Sequence, residues 1–113
     1  MTTVKLPETD LARIANYCAS KVPIDLRGEV RLELETRGRS VTIIEIRSPW
    51  QGGDQPWTRL KVAQLRYQAE SCDWRLHWRN RNDRWLDYDD LLSGTAAELL
   101  AEIDEDPACV FWG

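Results

Sequence analysis

The residues best suited to chemistry lie between positions 74 and 88, a stretch that contains the only histidine of the chain, His77. Apolar and polar side chains alternate strictly from 74 to 79, which predicts a β-strand with one apolar and one polar face. The polar face would carry Arg75, His77 and Arg79. A histidine between two arginines could serve as a general base or contact the phosphates of a nucleic acid.

A second strand is predicted to complete a β-hairpin, because the next four residues, Asn-Arg-Asn-Asp, favour a turn. A loop of three or five residues keeps apolar and polar side chains on separate faces, whereas a loop of two or four mixes them. The segregated register places Asp87 opposite His77. It also places Asp89 opposite Arg75. These acidic partners favour a solvated charge ladder over a nucleic-acid surface.

Catalysis is the weaker interpretation of His77. A histidine paired with an aspartate can act as a general base, but the sequence places no serine or cysteine beside the pair. The acidic residues at 87, 89 and 90 could hold a hard cation, although such strand ends are usually only solvated. The sequence therefore predicts no catalytic residue, no metal and no cofactor.

The cysteine pattern also bears on metal binding and on location. Cys18, Cys72 and Cys109 are far apart and form no C-x-x-C pair, which argues against a zinc site and a disulfide framework. The sequence shows no secretory leader and no apolar run of membrane-spanning length. Reduced thiols in a cytoplasm are the expectation.

Charge is distributed unevenly along these 113 residues of net charge −4. Residues 59–84 carry seven basic and three acidic groups, whereas residues 85–113 carry eight acidic groups and no Lys or Arg. The favoured interpretation is that the two segments neutralise each other in the fold. The alternative is a basic binding surface, with the acidic segment preventing this surface from binding non-specific targets.

Six tryptophans are many for one domain, and the pattern demands burial only of Trp74 and Trp78. Trp50 and Trp57 lie in a Pro- and Gly-rich loop, where they either cover the ends of the sheet or form a contact surface. Because Trp and Arg commonly anchor interfaces, a non-catalytic protein-interaction module is the leading hypothesis, with a homodimer among its forms. The candidate binding residues are Trp50, Trp57, Arg75, His77, Arg79 and Trp85.

Nucleic-acid binding through the basic stretch 59–84 is the alternative hypothesis. Its arginines, with Trp78 and Trp85, could contact phosphates and stack on bases, and such binding would weaken steeply with salt. The net charge and the acidic partners in the hairpin argue against it.

The elements that must position these residues form an α+β fold of one domain. Periodicity predicts an N-terminal helix over 7–22, and a Thr95–Glu98 capping box begins a C-terminal helix that extends to about residue 104. Between them lies an antiparallel meander sheet of about five strands, with strands at 29–37, 41–47 and 58–70 before the hairpin. Alternation slips in the second and third strands, which predicts a bulge or burial on both faces. The helices would cover one face, and the apolar C-terminal segment would dock on the sheet.

Several stretches together resemble one bacterial family of small proteins, known only as a domain of unknown function. They include Tyr17-Cys18, Val22-Pro23, Val30-Arg31-Leu32-Glu33, Glu45-x-Arg47-x-Pro49-Trp50, Arg66-Tyr67, the hairpin at 74–88, Ile103-Asp104-x-Asp106-Pro107 and the terminal Phe111-Trp112-Gly113. The match covers nearly the whole chain in order. The resemblance implies a bacterial, cytosolic, stand-alone domain, and it assigns no activity and no site residues.

Overall fold

The computed structural model describes residues 6–49, 54–88 and 93–112. Over these residues the elements follow in the order α1 Glu8–Lys21, a 3₁₀ turn Ile24–Leu26, β1 Val30–Arg37, β2 Ser40–Arg47, β3 Thr58–Gln68, β4 Asp73–Arg79, β5 Trp85–Asp87, β6 Ser93–Gly94 and α2 Ala96–Glu105. The predicted α+β fold, with a helix at each end of an antiparallel sheet, is confirmed. No helix in the described part of the chain is both long enough and apolar enough to cross a membrane.

The sheet is a meander in which β1 to β5 pair in chain order, each strand antiparallel to the next. The predicted hairpin register is confirmed, since Asp87 pairs with His77 and Leu86 pairs with Trp78. The turn forms as its sequence indicates, because Oδ1 of Asn80 accepts hydrogen bonds from the backbone N–H groups two and four residues later. The two-residue strand β6 was not predicted. It continues the sheet along the edge of β4 beyond β5.

The two slips in alternation have different causes. In β3, Ile43 of β2 pairs with Ala63 and Ile44 pairs with Lys61, so Val62 between them has no partner and forms a β-bulge. In β2 the residues simply alternate, and the strand is buried on both faces, with Ile43 on one side and Ile44 on the other. The bulge moves the apolar side of β3 by one residue and leaves Leu60 exposed.

The core lies between the two helices and one face of the sheet. Its fully buried side chains include Ile14, Leu65, Trp74, Leu99 and Ile103. Burial of a large apolar side chain contributes about 1.5–3 kcal/mol each. This face therefore supplies most of the hydrophobic stabilisation of the fold.

Polar contacts at the border of this core fix the orientation of α1. Nε1 of Trp74 donates to Asp10 at 2.9 Å, which ties the helix to β4. At the other end, the hydroxyl of Tyr17 and Nζ of Lys21 both reach Oδ1 of Asp104 in α2. Both partners hydrogen-bond the ionised carboxylate, and the pKa of Asp104 is accordingly lowered, with Lys21 the larger cause.

The C-terminal segment is held by the residue that ends α2. Asp106 adopts the left-handed conformation at the C-cap, and its carboxylate accepts hydrogen bonds from the backbone N–H groups of Val110, Phe111 and Trp112. The buried ring of Phe111 stacks on Tyr88 at 5.2 Å between ring centroids. The apolar terminus is thus held against α2 and Tyr88.

Candidate binding face of the sheet

The sheet face opposite the helices carries the polar side chains of the strands, and we call it the polar face. Strand alternation and the observed register place on it seven basic residues, Arg31, Arg37, Arg59, Lys61, Arg66, Arg75 and Arg79, and four acidic residues, Glu33, Glu35, Asp73 and Asp87. The excess of positive charge contrasts with the net charge of −4 for the whole chain. It also contrasts with α2, which contains four acidic residues and no Lys or Arg.

Two isoleucines are buried at the centre of the polar face although no described helix covers it. Ile44 is 2% exposed and Ile46 is 4% exposed. The register places Ile46 between Arg31 and Arg59, long side chains whose aliphatic stems can cover it. Nη2 of Arg59 lies 3.6 Å from Oε2 of Glu35, so this side chain reaches across β2. Part of the apolar sheet is therefore covered by charged side chains.

His77 lies at the end of a row of polar residues that crosses the sheet. Gln64 faces it from β3, and Nε2 of Gln64 donates to the hydroxyl of Thr42 at 3.0 Å. On the other side, Nε2 of His77 lies 2.7 Å from Oδ1 of Asp87. The predicted pair of His77 and Asp87 is therefore present, and it occupies one nitrogen of the imidazole.

The second nitrogen of His77, Nδ1, is buried and has no hydrogen-bond partner among the described residues. Burial lowers the pKa of His77 and the positive charge of Arg66 lowers it further, while Asp87 and the backbone of Arg75 only partly oppose them. The neutral imidazole would thus point an inaccessible lone pair into the sheet. A substrate could not reach this atom without rearrangement, so the pair is better suited to a structural role than to general-base catalysis.

Arg66 and Arg75 are directly opposite each other on β3 and β4. Like charges at opposed positions are unfavourable in a sheet unless other groups offset them. Nε of Arg66 donates to Oε1 of Gln64 at 2.7 Å, which fixes the direction of its guanidinium.

A cleft of about 360 Å³ adjoins the polar face near the tip of the hairpin. It is lined by Arg59, Leu60, Lys61, Arg79, Asn80, Arg81 and Asp83. The one acidic residue, Asp83, lies 3.4 Å from Arg79 and is largely exposed, so it offsets only part of the charge. The cleft extends the basic surface towards the loop.

The structure places the predicted binding residues as follows. Arg75, His77, Arg79 and Trp85 share the polar face, and Arg79 lies over the ring of Trp85 at 5.4 Å. Trp57 adjoins the same face, because Arg31 lies over its ring at 4.9 Å. Trp50 lies outside the described residues, as does Asp89, the predicted partner of Arg75. On that side of β4, the backbone of Arg75 pairs with Ser93.

The sequence prediction missed the contribution of β1 and β2 to this surface. The alternation from residue 29 to 35 does predict that Arg31 faces away from the helices. It does not predict that Arg31 would share a face with Arg59, because that requires the order of the strands in the sheet. Cys18, in contrast, is buried in the core, and burial raises the pKa of its thiol to about 11, which makes it a poor nucleophile.

Fold and site together define a small α+β domain with one helix-covered and one basic, polar sheet face. The chain belongs to a family described as a domain of unknown function, DUF3024, whose model matches residues 1–113. The resemblance to an uncharacterised family is thereby confirmed. No curated protein and no solved structure shows significant similarity to the chain.

Proposed function

We propose that the protein is a non-catalytic binding domain that holds single-stranded nucleic acid on its polar face. The observation that carries the proposal is the segregation of charge. Seven basic side chains share this face with four acidic ones, in a chain whose net charge is negative. A basic surface on an acidic protein is typical of a binding site for a polyanion.

Of the two acidic partners that argued against this function, Asp87 lies against the imidazole of His77. Asp89 lies outside the described residues. The cleft at the hairpin tip adds a concave surface, which contains three of the basic side chains of the polar face and one further positive side chain, Arg81. Phosphates are the ligands that such clusters of arginine and lysine favour.

Single strands are favoured over duplexes because tryptophans border the face. Trp57 is 37% exposed, and Trp85 is half-buried beside Arg79. Flat rings next to a basic groove are typical of proteins that stack the bases of a single strand. The protein-interaction hypothesis, which expects accessible tryptophans, finds less support here, since Trp112 is committed to α2 through its Nε1–H bond to the carbonyl of Ile103.

The test is fluorescence polarisation with labelled single-stranded DNA, single-stranded RNA and duplex DNA, each at low and near-physiological salt. We expect single strands to bind, with affinity that falls as salt rises. Lys61→Ala and Arg66→Ala should each weaken binding. Each should also reduce the slope of log affinity against log salt concentration by the amount that corresponds to about one phosphate contact. Arg13→Ala removes an exposed arginine on α1 and serves as the matched control, with no expected effect.

Trp57→Ala and Trp85→Ala should each weaken binding by about 1–3 kcal/mol if the rings stack on bases. Absence of binding at low salt would overturn the proposal. Equal loss of affinity in Arg13→Ala and Arg66→Ala would also overturn it, because attraction would then be non-specific. Tighter binding of the duplex would contradict the role assigned to the tryptophans.

A further inference from the structure

Strand β1 forms one border of the sheet, and among the described residues nothing pairs with its outer edge. It is eight residues long, whereas the opposite border consists of the three-residue β5 and the two-residue β6. A long strand edge presents a row of N–H and C=O groups that can pair with another strand. The border at β1 is therefore the larger pairing surface of the described sheet.

The backbone groups at this edge are contributed by alternate residues. The N–H of Ser48 donates to the carbonyl of Glu29, and bonded pairs alternate along an antiparallel ladder. Arg31, Glu33 and Glu35 therefore direct their N–H and C=O groups towards β2. The outward groups belong to Val30, Leu32, Leu34 and Thr36.

We propose that two copies of the chain pair through antiparallel β1 strands, about a two-fold axis at Glu33, to form one continuous sheet. In this register Arg31 of one copy faces Glu35 of the second. Arg37 likewise faces Glu29, so the axis generates four opposite-charge pairs on the polar side. The single like-charge pair is Glu33 with its own counterpart.

Charge excludes the neighbouring registers. A shift of two residues in one direction places Arg31 against Arg37, and a shift in the other places Glu29 against Glu35. Odd shifts would put apolar side chains on the polar side. In the proposed register Leu32 of one copy faces Leu34 of the second. Both residues direct their backbone N–H and C=O groups outward, so the same register that pairs their side chains also lets the two β1 strands form hydrogen bonds.

The flank of α1 above this edge is compatible with a second copy. Tyr17 and Lys21 point towards α2, and at about 100° per residue the opposite flank of the helix carries Ala12, Ala15 and Ala19. All three alanines are exposed. Small side chains let the helix of a second copy approach without collision above the paired strands.

The inference does not rest on the proposed function. Pairing at the β1 edge leaves the polar face open and joins two such faces side by side. A monomer that binds nucleic acid would overturn the dimer alone. A dimer that binds none would overturn the proposed function alone.

Cross-linking tests the register directly. In a Cys72→Ser, Cys109→Ser background, which removes the exposed native thiols, Glu33→Cys should form a disulfide-linked dimer under mild oxidation. Residue 33 would oppose itself in a non-hydrogen-bonded pair with Cα atoms about 4.5 Å apart, within the range of a disulfide. The matched control Glu35→Cys should not cross-link, because residue 35 faces residue 31.

Sedimentation velocity over a range of concentrations tests the charge pairs without cross-linking. Glu35→Arg should raise the dissociation constant of the dimer about tenfold, and adding Arg31→Glu should restore it. Arg59→Gln controls for the ion pair that Glu35 makes within the chain, and it should leave the dimer intact. A protein that stays monomeric throughout, or one that cross-links through position 35 rather than 33, would overturn the proposal.

Discussion

The two faces of strand β4 bury their side chains by different means. On one face Trp74 and Leu76 are 1% and 2% exposed beneath the helices, among the apolar side chains of the core. On the other, His77 is 5% exposed, although its neighbours are arginines, Gln64 and an aspartate. Similar burial is thus produced by the helices on one face and by long polar side chains on the other.

The difference teaches which burial serves the fold and which remains available for binding. Helix-covered side chains lose their contacts only if the protein unfolds. Side chains covered by arginine stems keep their cover while the charged guanidinium groups move to a ligand. A nucleic acid bound as proposed would therefore meet the guanidinium groups without exposing Ile44 and Ile46.

The largest expected effect contrasts a tryptophan from each face. Trp74→Ala should lower the free energy of unfolding by about 3–5 kcal/mol, because it empties a core site and removes the hydrogen bond to Asp10. Trp85→Ala should cost about 1 kcal/mol or less, since that half-buried ring makes a contact with the half-buried side chain of Arg79. Urea denaturation measures both. Similar losses would mean that the polar face contributes to the fold as much as the core does.

An intermediate effect is expected where the C-terminal segment joins the helix side. Asp106→Gly keeps the left-handed backbone but removes the acceptor of three N–H groups, and we expect a loss of about 1–3 kcal/mol. Asp106→Asn keeps one carbonyl acceptor and should lose less. Urea denaturation and hydrogen exchange at Phe111 report the change. If both variants match the natural protein, the carboxylate does not hold this segment.

The smallest expected effect is the pH dependence of the stability that His77 contributes on the polar face. The folded pKa of His77 is lowered, so folding favours the neutral imidazole, and the unfolded chain takes up the proton first, near a pKa of about 6.5. Stability from this residue is complete above that pH and declines as pH falls below it. Between about pH 7.5 and 5.5, His77→Gln should therefore lose stability less steeply than the natural protein.

Arg66→Ala supplies the matched control for this pH effect. The positive charges that face His77 are Arg66 and Arg75, and the negative one is Asp87. Removal of Arg66 should raise the pKa of His77 towards its ordinary value, which a titration by nuclear magnetic resonance would record. An unchanged pKa would show that Arg66 does not contribute to its lowering.

The hairpin and both helices could be predicted from the sequence because their determinants are local. The pairing of Asp87 with His77 follows from keeping two faces distinct, and the start of α2 follows from the Thr95 cap, whose hydroxyl accepts the N–H of Glu98. The opposition of Arg66 and Arg75 could not be predicted, because it depends on where the turn between β3 and β4 begins, and the sequence of residues 69–72 does not fix that position. The strand β6 was not predicted, because two residues are too few to show the alternation of apolar and polar side chains that indicates a strand.

The bulge at Val62 decides which side chains of β3 face the basic side. With this extra residue outside the ladder, Lys61 pairs with Ile44 and therefore lies on the polar face. If Val62 took the regular place opposite Ile44, Thr58–Lys61 would turn over, because side-chain direction repeats every two residues. Leu60 would then face the basic side and Lys61 the helices. A straight strand of the same composition would thus remove basic charge from this surface, so the irregular pairing, more than the composition, gives the sheet its basic side.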